Sequence, residues 1–215
     1  MEKELYIVYS TPRQFSLENK RKVARRCLEI AQSTSFPTNY RDIEAHLFGN
    51  DDATLTFLVD EKGMIYGFAT FDKLEKVNAL YLNGIILHSE IQSKGWSLYL
   101  LKSVILGSEC DFLMLRTHNQ RMYEAMRDVA GNDSLIYPHP NGNYAVPEDE
   151  DVWAVIHAHP ATMKADEKLV VRRAYPEGQE IKSQKIDKED AKALFTELRP
   201  LDAQVVVVRR TKTDN

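Results

Sequence analysis

The sequence predicts an α/β fold, and three observations carry that prediction. Short runs of β-branched and aromatic residues, such as LTFLVD at 55–60 and FLMLRT at 112–117, alternate with segments whose apolar residues recur at helical spacing. Cap or turn residues punctuate the boundaries between them. The length of 215 residues suits one domain with a substantial core, or one domain carrying an appendage.

Each element follows from its own residues. ELYIVY (4–9) reads as a first strand. A helix runs from about Ser16, a candidate N-cap, to about Gln32, burying Val23, Cys27, Ile30 and Ala31. Lys20, Arg21, Lys22, Arg25 and Arg26 make its opposite face basic, which is the ordinary pattern of a solvated surface. SFPTNY breaks this helix, and YRDIEAHLF forms a second, shorter one. LTFLVD, the turn EKG and MIYGFATFDKL (64–74) read as a hairpin. NALYLNGIILH (78–88) is a long and mostly apolar strand, hence central in the sheet. The next helix, from about Ser97 to Leu106, is apolar around most of its circumference, as a helix pressed onto a sheet would be, and Gly107 is its natural stop. FLMLRT is a further buried strand, and RMYEAMRDVA a helix ending at Gly131. The texture then changes to a loop, YPHPNGNYAVPEDED, rich in Pro, Asn, Gly and acid. Pro147 and the acidic run from Glu148 to Asp151 suit the first turn of a helix over VWAVIHAH. LVVRRAY (169–175) and QVVVVRR (204–210) read as strands flanking a helix capped by Asp187, with Ala191, Leu194, Phe195 and Leu198 on one face.

Composition narrows the function classes. Apolar residues make up 43% and charged residues 28%, ordinary for a soluble globular protein. A net charge of −4 argues against a nucleic-acid surface. The start MEKELYIVYS has no signal-peptide pattern, and no apolar run reaches the roughly 20 residues that span a bilayer. Cys27 and Cys110 cannot build a disulfide framework, and neither sits in a metal-ligand pair. The implied setting is the cytoplasm, with reduced thiols, no membrane and no nucleic acid as partner.

The stretch most suggestive of chemistry is LNGIILHSEIQSKGWSLYLLKSVIL (82–106), a strand that becomes a helix across the polar patch SEIQSKG. Backbone N–H groups at a helix start lack partners, and the dipole makes that end positive. Gly95 lets backbone approach a bulky anion, and a phosphate is the natural guest.

The element order, with this patch in its place, resembles the GNAT superfamily of acyl-CoA-dependent N-acetyltransferases. That family's signature, V-x-P-E-Y-[QR]-G-K-G-x-[GA], aligns with Leu87-His-Ser-Glu-Ile-Gln-Ser-Lys-Gly-Trp-Ser97. Glu90, Gln92, Lys94 and Gly95 match it, while Ser89 replaces the usual proline, Ser93 the usual first glycine and Ser97 the final small residue. The resemblance covers about residues 3–137. It implies a mixed, mostly antiparallel central sheet with helices on both faces, the ligand entering between two splayed central strands. Residues 1–137 would form the acyl-CoA-binding core, and 138–215 an extension of helices and two strands that completes or flanks the same domain. It also implies that the amides of Gln92, Ser93, Lys94, Gly95, Trp96 and Ser97 meet the pyrophosphate of coenzyme A. Lys94 would add a charge, or else be a solvated lysine, and Trp96 would serve in packing. Ile85, Ile86 and Leu87 would offer strand backbone to the pantetheine. Asn119, heading the next helix, is placed for a coenzyme A contact, and is equally a good N-cap.

For catalysis the resemblance implies a tyrosine that protonates the departing thiolate. Tyr123 is the first candidate and Tyr137 the weaker one, although the family's spacing puts Met126 where that tyrosine usually stands. Tyr123 is otherwise a core or groove aromatic. The family's base is often a carboxylate or a bound water. Tyr81 and Asn83 on the central strand do not titrate usefully, and Asp72 and Glu75 remain equal alternatives. His157 and His159 fall on different sides of a helix, His118 has a surface or loop role or points into the acceptor site, and no metal site is supported.

The expected activity is transfer of an acetyl group from acetyl-CoA to a primary amine, on a small molecule or a peptide. The alternative is a non-catalytic acyl-CoA-binding or regulatory protein on the same fold. Residues 138–215 have two open roles, capping the acceptor site or forming the face of a homodimer.

Overall fold

The structure is a computed structural model that describes residues 4–34, 36–132, 135–140, 149–175 and 189–210. The chain divides into two compact units, one of Met1–Lys73 and Leu82–Leu100, the other of Leu74–Tyr81 and Leu101–Asn215.

In the first unit, strand β1 (Tyr6–Ser10) pairs antiparallel with β2 (Thr54–Val59), Tyr6 opposite Val59 and Ser10 opposite Leu55. β2 pairs antiparallel with β3 (Ile65–Leu74), with Phe57 opposite Phe68 and a register shift between Leu58 and Val59. The hairpin expected at EKG is present: the Asp60 carboxylate accepts the N–H groups of Lys62 and Met64, each at 2.9 Å, and Gly63 takes φ +76°. From Leu82 onward, β4 (Ala79–Leu87) follows β3 in the strand order.

Helix α1 (Leu17–Ser33) begins where Ser16 accepts the Asn19 N–H, and α2 (Tyr40–Phe48) where Asn39 accepts those of Arg41 and Asp42. Both helices bury an apolar stripe: Ala24, Cys27, Ile30 and Ala31 of α1 and Ile43 and Leu47 of α2 form one cluster with Leu55, Phe57 and Phe68. Burial pushes the Cys27 thiol well above its ordinary range, so it acts as a small hydrophobe. Of the basic face, Lys22 pairs with Glu18 and Arg26 with Glu29, while the Arg26 Nε donates to the Ile65 carbonyl.

The second unit takes the start of β4 and orders it with β5 (Phe112–Thr117), β8 (Ala203–Arg209) and β6 (Ile136–Tyr137), with β7 (Val170–Val171) also on β8. β8 runs antiparallel to β5, β6 and β7. Helix α5 (Glu150–His157) lays Val152, Val155 and Ile156 over Phe112, Met114, Val205 and Val207. The alternate residues Leu113, Leu115, Val206 and Val208 are buried too, so these strands are covered on both faces. Helix α4 (Gln120–Ala130) lies against β8, and its Tyr123 ring meets Phe195 of α6 (Glu189–Thr196) edge-on. Helix α3 (Trp96–Gly107) belongs by chain to both units.

The mixed, mostly antiparallel α/β class is therefore observed, with two local departures. The strand expected over 169–175 shrinks to Val170–Val171, because Leu169 (φ +57°) and Arg173 (φ +49°) are left-handed and end it on both sides. Tyr137, placed by the sequence in a loop just past a helix, pairs with Val207, and Ile136 before it pairs with Val208. Pro147, Glu148 and Asp187 lie outside the described residues; within them, Asp149 caps α5 by accepting the Asp151 N–H. Among the described residues no helix is long and apolar enough to cross a membrane.

Candidate active site

β4 changes character along its length. Ala79 to Leu82 are buried, whereas Asn83 is exposed and Gly84 to Leu87 are half-buried. The open half leads into a 3-10 turn (Ser89–Ile91) anchored by the buried Ile91. His88 donates its N–H to the Tyr66 carbonyl at 2.7 Å, the Ser89 N–H reaches the Ser33 hydroxyl at 3.1 Å, and the Gln92 amide donates to the Leu87 carbonyl. These bonds hold the turn while leaving Gln92, Ser93, Lys94 and Gly95 at the surface.

Two residues of that turn are left-handed, Ser93 at φ +62° and Gly95 at φ +80°. A Cβ on Gly95 would meet nothing within 4 Å. The glycine is thus required by its backbone angle, and the space over it is open. Tyr99 makes the first bond within α3, its N–H donating to the Gly95 carbonyl at 3.0 Å, so the amides of Trp96, Ser97 and Leu98 precede the intrahelical ladder. A left-handed residue followed by a helix start directs successive N–H groups at one spot, which is the geometry of an anion cradle. Trp96 packs edge-on to Tyr99.

Beside the open half of β4, in the same unit, lies a polar group. His46 of α2 is half-buried, and its Nε2 is 2.8 Å from the Thr70 hydroxyl of β3. Its Cε1 and Nε2 would each be 2.9 Å from a Cβ on Gly84, so the imidazole sits on the glycine. Asp72, two residues along β3, accepts from Asn50 and from Asn83 of β4, both at 2.7 Å. Burial pushes the His46 pKa below its ordinary 6.5, with the Asp72 charge pulling the other way.

The second unit holds the remaining candidates. Asn119 caps α4: its side chain accepts the Arg121 N–H at 3.0 Å, and its own N–H donates to the Thr117 hydroxyl. Tyr123 is fully buried and donates its hydroxyl to the Pro138 carbonyl at 2.8 Å. Tyr137 is half-buried; burial and then the Asp149 charge raise its pKa against the opposing pull of Arg209, so it is protonated at neutral pH. Tyr81 is buried and stacks on His159 at 3.7 Å. Glu75 is exposed in a 3-10 turn. His118 lies in the loop between β5 and α4 but is not at the surface: it is buried, with Nδ1 2.9 Å from the Asp202 carbonyl. Among the described residues no group of three or more His, Cys, Asp or Glu could hold a metal ion.

No family model and no curated protein matches the sequence. Among solved structures, the ribosomal-protein-S18-alanine N-acetyltransferase of Escherichia coli aligns over 98% of this chain and 99% of its own, with a TM-score of 0.53 and 12% identity. The chain has the GNAT acetyltransferase fold. Two further structures overlap in part. A diaminobutyrate acetyltransferase from Paenibacillus lautus, in complex with L-2,4-diaminobutyric acid and coenzyme A, covers 61% of this chain and 79% of its own at TM-score 0.46 and 15% identity. A GNAT-family acetyltransferase from Staphylococcus aureus covers 60% and 84% at TM-score 0.42 and 17% identity.

Within this GNAT fold, the first unit gathers Ile85, Ile86, Leu87 and Gln92 to Ser97 into one continuous strand-turn-helix. Asn119, Tyr123 and Tyr137 belong to the other unit. Sequence reasoning missed His46. A lone histidine in an amphipathic helix carries no signal by itself; only Gly84, a glycine inside an apolar strand, hinted that something approaches the backbone there.

Proposed function

We propose that this protein is an N-acetyltransferase that moves an acetyl group from acetyl-CoA to a primary amine. The observation that carries the reading is the left-handed pair Ser93 and Gly95, which turns the half-buried end of β4 into the start of α3. A pyrophosphate accepts N–H bonds from Gln92 to Ser97 there, with Lys94 adding a flexible charge. Ile85, Ile86 and Leu87 offer strand backbone to the pantetheine. Asn119 contacts coenzyme A while it caps α4.

Tyr123 would have to release the Pro138 carbonyl to protonate the thiolate, so Tyr137, or water, takes that role more readily. The acceptor is a small-molecule or peptide amine. Cys27 and Cys110 are buried and form no disulfide, which fits a cytoplasmic setting.

Calorimetry with coenzyme A, then acetyl transfer from acetyl-CoA to a panel of amines, tests the reading. Spermidine, L-2,4-diaminobutyrate and a peptide beginning with alanine span the acceptor classes. Micromolar to sub-millimolar binding and turnover of one amine are the expected results. No binding at millimolar coenzyme A would refute the assignment. The engaged hydroxyl of Tyr123 favours one second reading, an acyl-CoA-binding regulator, which would bind coenzyme A and acetylate nothing.

A further inference from the structure

We propose that His46 is the general base of this site, taking the proton of the acceptor amine through water. The role rests on the acetyl-transfer reading above and adds a residue to it. Four features of the first unit converge on this imidazole. Its ring lies directly over Gly84, the first residue of the half-buried stretch of β4 that meets the thioester arm. Any side chain at 84 would displace it, since a Cβ would come within 2.9 Å. The Thr70 hydroxyl, 2.8 Å from Nε2, fixes the ring plane. An Nε2–H donated to that hydroxyl leaves the lone pair on Nδ1. Thr70 and Asp72 are two apart on β3 and so share a face, and Asp72 in turn holds Asn83 of β4. A carboxylate beside the same strand draws in a cationic amine.

The proton balance is complete with these groups. An amine arrives as an ammonium and loses one proton, through water, to Nδ1 of neutral His46. Its lone pair then forms the C–N bond to the acetyl carbon as the C–S bond breaks. The second nitrogen proton leaves with the thiolate as the free thiol, and the imidazolium returns its proton to solvent. Burial keeps the imidazole neutral at physiological pH, so it is ready to accept. Asp72 is the charge that opposes this, and it faces the ring from β3.

Asp72 itself is the weaker candidate for this step. Both its oxygens already accept an asparagine amide, so taking up a proton there would compete with one of these bonds. Its place is to position Asn83 and set the local charge.

The test compares wild type with His46→Gln, which keeps a hydrogen-bonding group near Thr70 but does not titrate. Each is assayed with acetyl-CoA and the panel amine that wild type turns over fastest, from about pH 5 to about pH 9. Wild-type turnover should fall on the acid side with an apparent pKa below that of a free histidine. The variant should lose about 10²–10⁴-fold in kcat with coenzyme A affinity unchanged, and its acid limb should disappear. An NMR titration of His46 in the wild-type protein is the second measurement and does not depend on the variant folding. Its pKa should coincide with the acid limb, and its Cε1–H signal should move when coenzyme A binds. A variant within fivefold of wild type that keeps the limb, or a His46 pKa that departs from the limb, overturns the role and leaves the acetyltransferase reading standing. A wild type that binds no coenzyme A removes both.

Discussion

Ser93 and Gly95 offer a pair of substitutions with opposite expected signs. Both are left-handed, at φ +62° and φ +80°, and only one is a glycine. An L-residue in that region costs about 1–2 kcal/mol. Replacing glycine by alanine recovers about 0.4–1 kcal/mol by restricting the unfolded chain. Gly95→Ala should therefore destabilise by roughly 1 kcal/mol, and Ser93→Gly should stabilise by a similar amount. At about 2–4 °C per kcal/mol for a chain of this size, the two variants should lie on either side of wild type, separated by roughly 4–8 °C in Tm. The space over Gly95 is open, so an alanine methyl clashes with no protein atom. That methyl would instead stand where a phosphate approaches. Coenzyme A affinity should thus fall in Gly95→Ala and hold in Ser93→Gly. Gly67→Ala is the contrasting control, since its Cβ would come within 2.6 Å of Leu87 Cδ2 and 3.4 Å of the Ile86 carbonyl. Thermal unfolding and calorimetry of the three variants decide the matter. If Gly95→Ala matches wild type in both Tm and affinity, or Ser93→Gly is the less stable of the pair, the backbone-angle argument is wrong.

Tyr123→Phe removes a buried donor from the Pro138 carbonyl and should cost about 1–3 kcal/mol in urea unfolding, with turnover within fivefold of wild type. A 10²-fold loss of turnover would instead restore Tyr123 as the acid. Asn119→Ala should cost about 1 kcal/mol and Asn119→Ser much less, because serine also caps; a coenzyme A contact shows as lost affinity in Asn119→Ser despite intact stability. The folded-state pKa of His46 lies below its ordinary 6.5, so the unfolded chain takes up that proton first. Its contribution to stability is complete above about pH 6.5 and is lost as the pH falls from there toward the folded pKa. His46→Gln should flatten that part of the stability profile, measured by urea unfolding at several pH values.

Much of the fold was legible because its elements obey local rules. Ser16 and Asn119, both read as caps, each cap the helix that follows, and the runs of consecutive buried residues in β2, β5 and β8 follow from strands covered on both faces. The truncation of the 169–175 strand was not legible, since nothing in Leu169 or Arg173 announces a left-handed backbone. Their angles come with tertiary contacts, among them the Arg173 N–H donated to the buried Asp202 carboxylate. That carboxylate also takes Arg172 at 2.8 Å. Although burial alone would raise its pKa, these donors hold it below the ordinary value. The strand-turn-helix of β4 and α3 was readable for the converse reason: a strand, a polar turn and an apolar helix are contiguous in sequence, so local chemistry specifies them together.

A proton acceptor has no such continuity. His46, Thr70 and Gly84 come from three elements, and each has an ordinary reading taken singly. Their meeting depends on α2 packing over β3 and β4 through Ile43 and Leu47, which are chosen for volume and not for chemistry. The same dependence makes the base easy to lose without touching it. Gly84→Ala leaves every titratable group in place, yet its Cβ must move an imidazole that now lies 2.9 Å away. Because the ring is the tip of a rotatable side chain, it swings aside at little cost to stability, and the Thr70 bond breaks. Gly84→Ala should therefore fold with a Tm near that of wild type, bind coenzyme A, and share the slow turnover of His46→Gln. A fast Gly84→Ala enzyme would show that the position of the imidazole over β4 does not matter to catalysis.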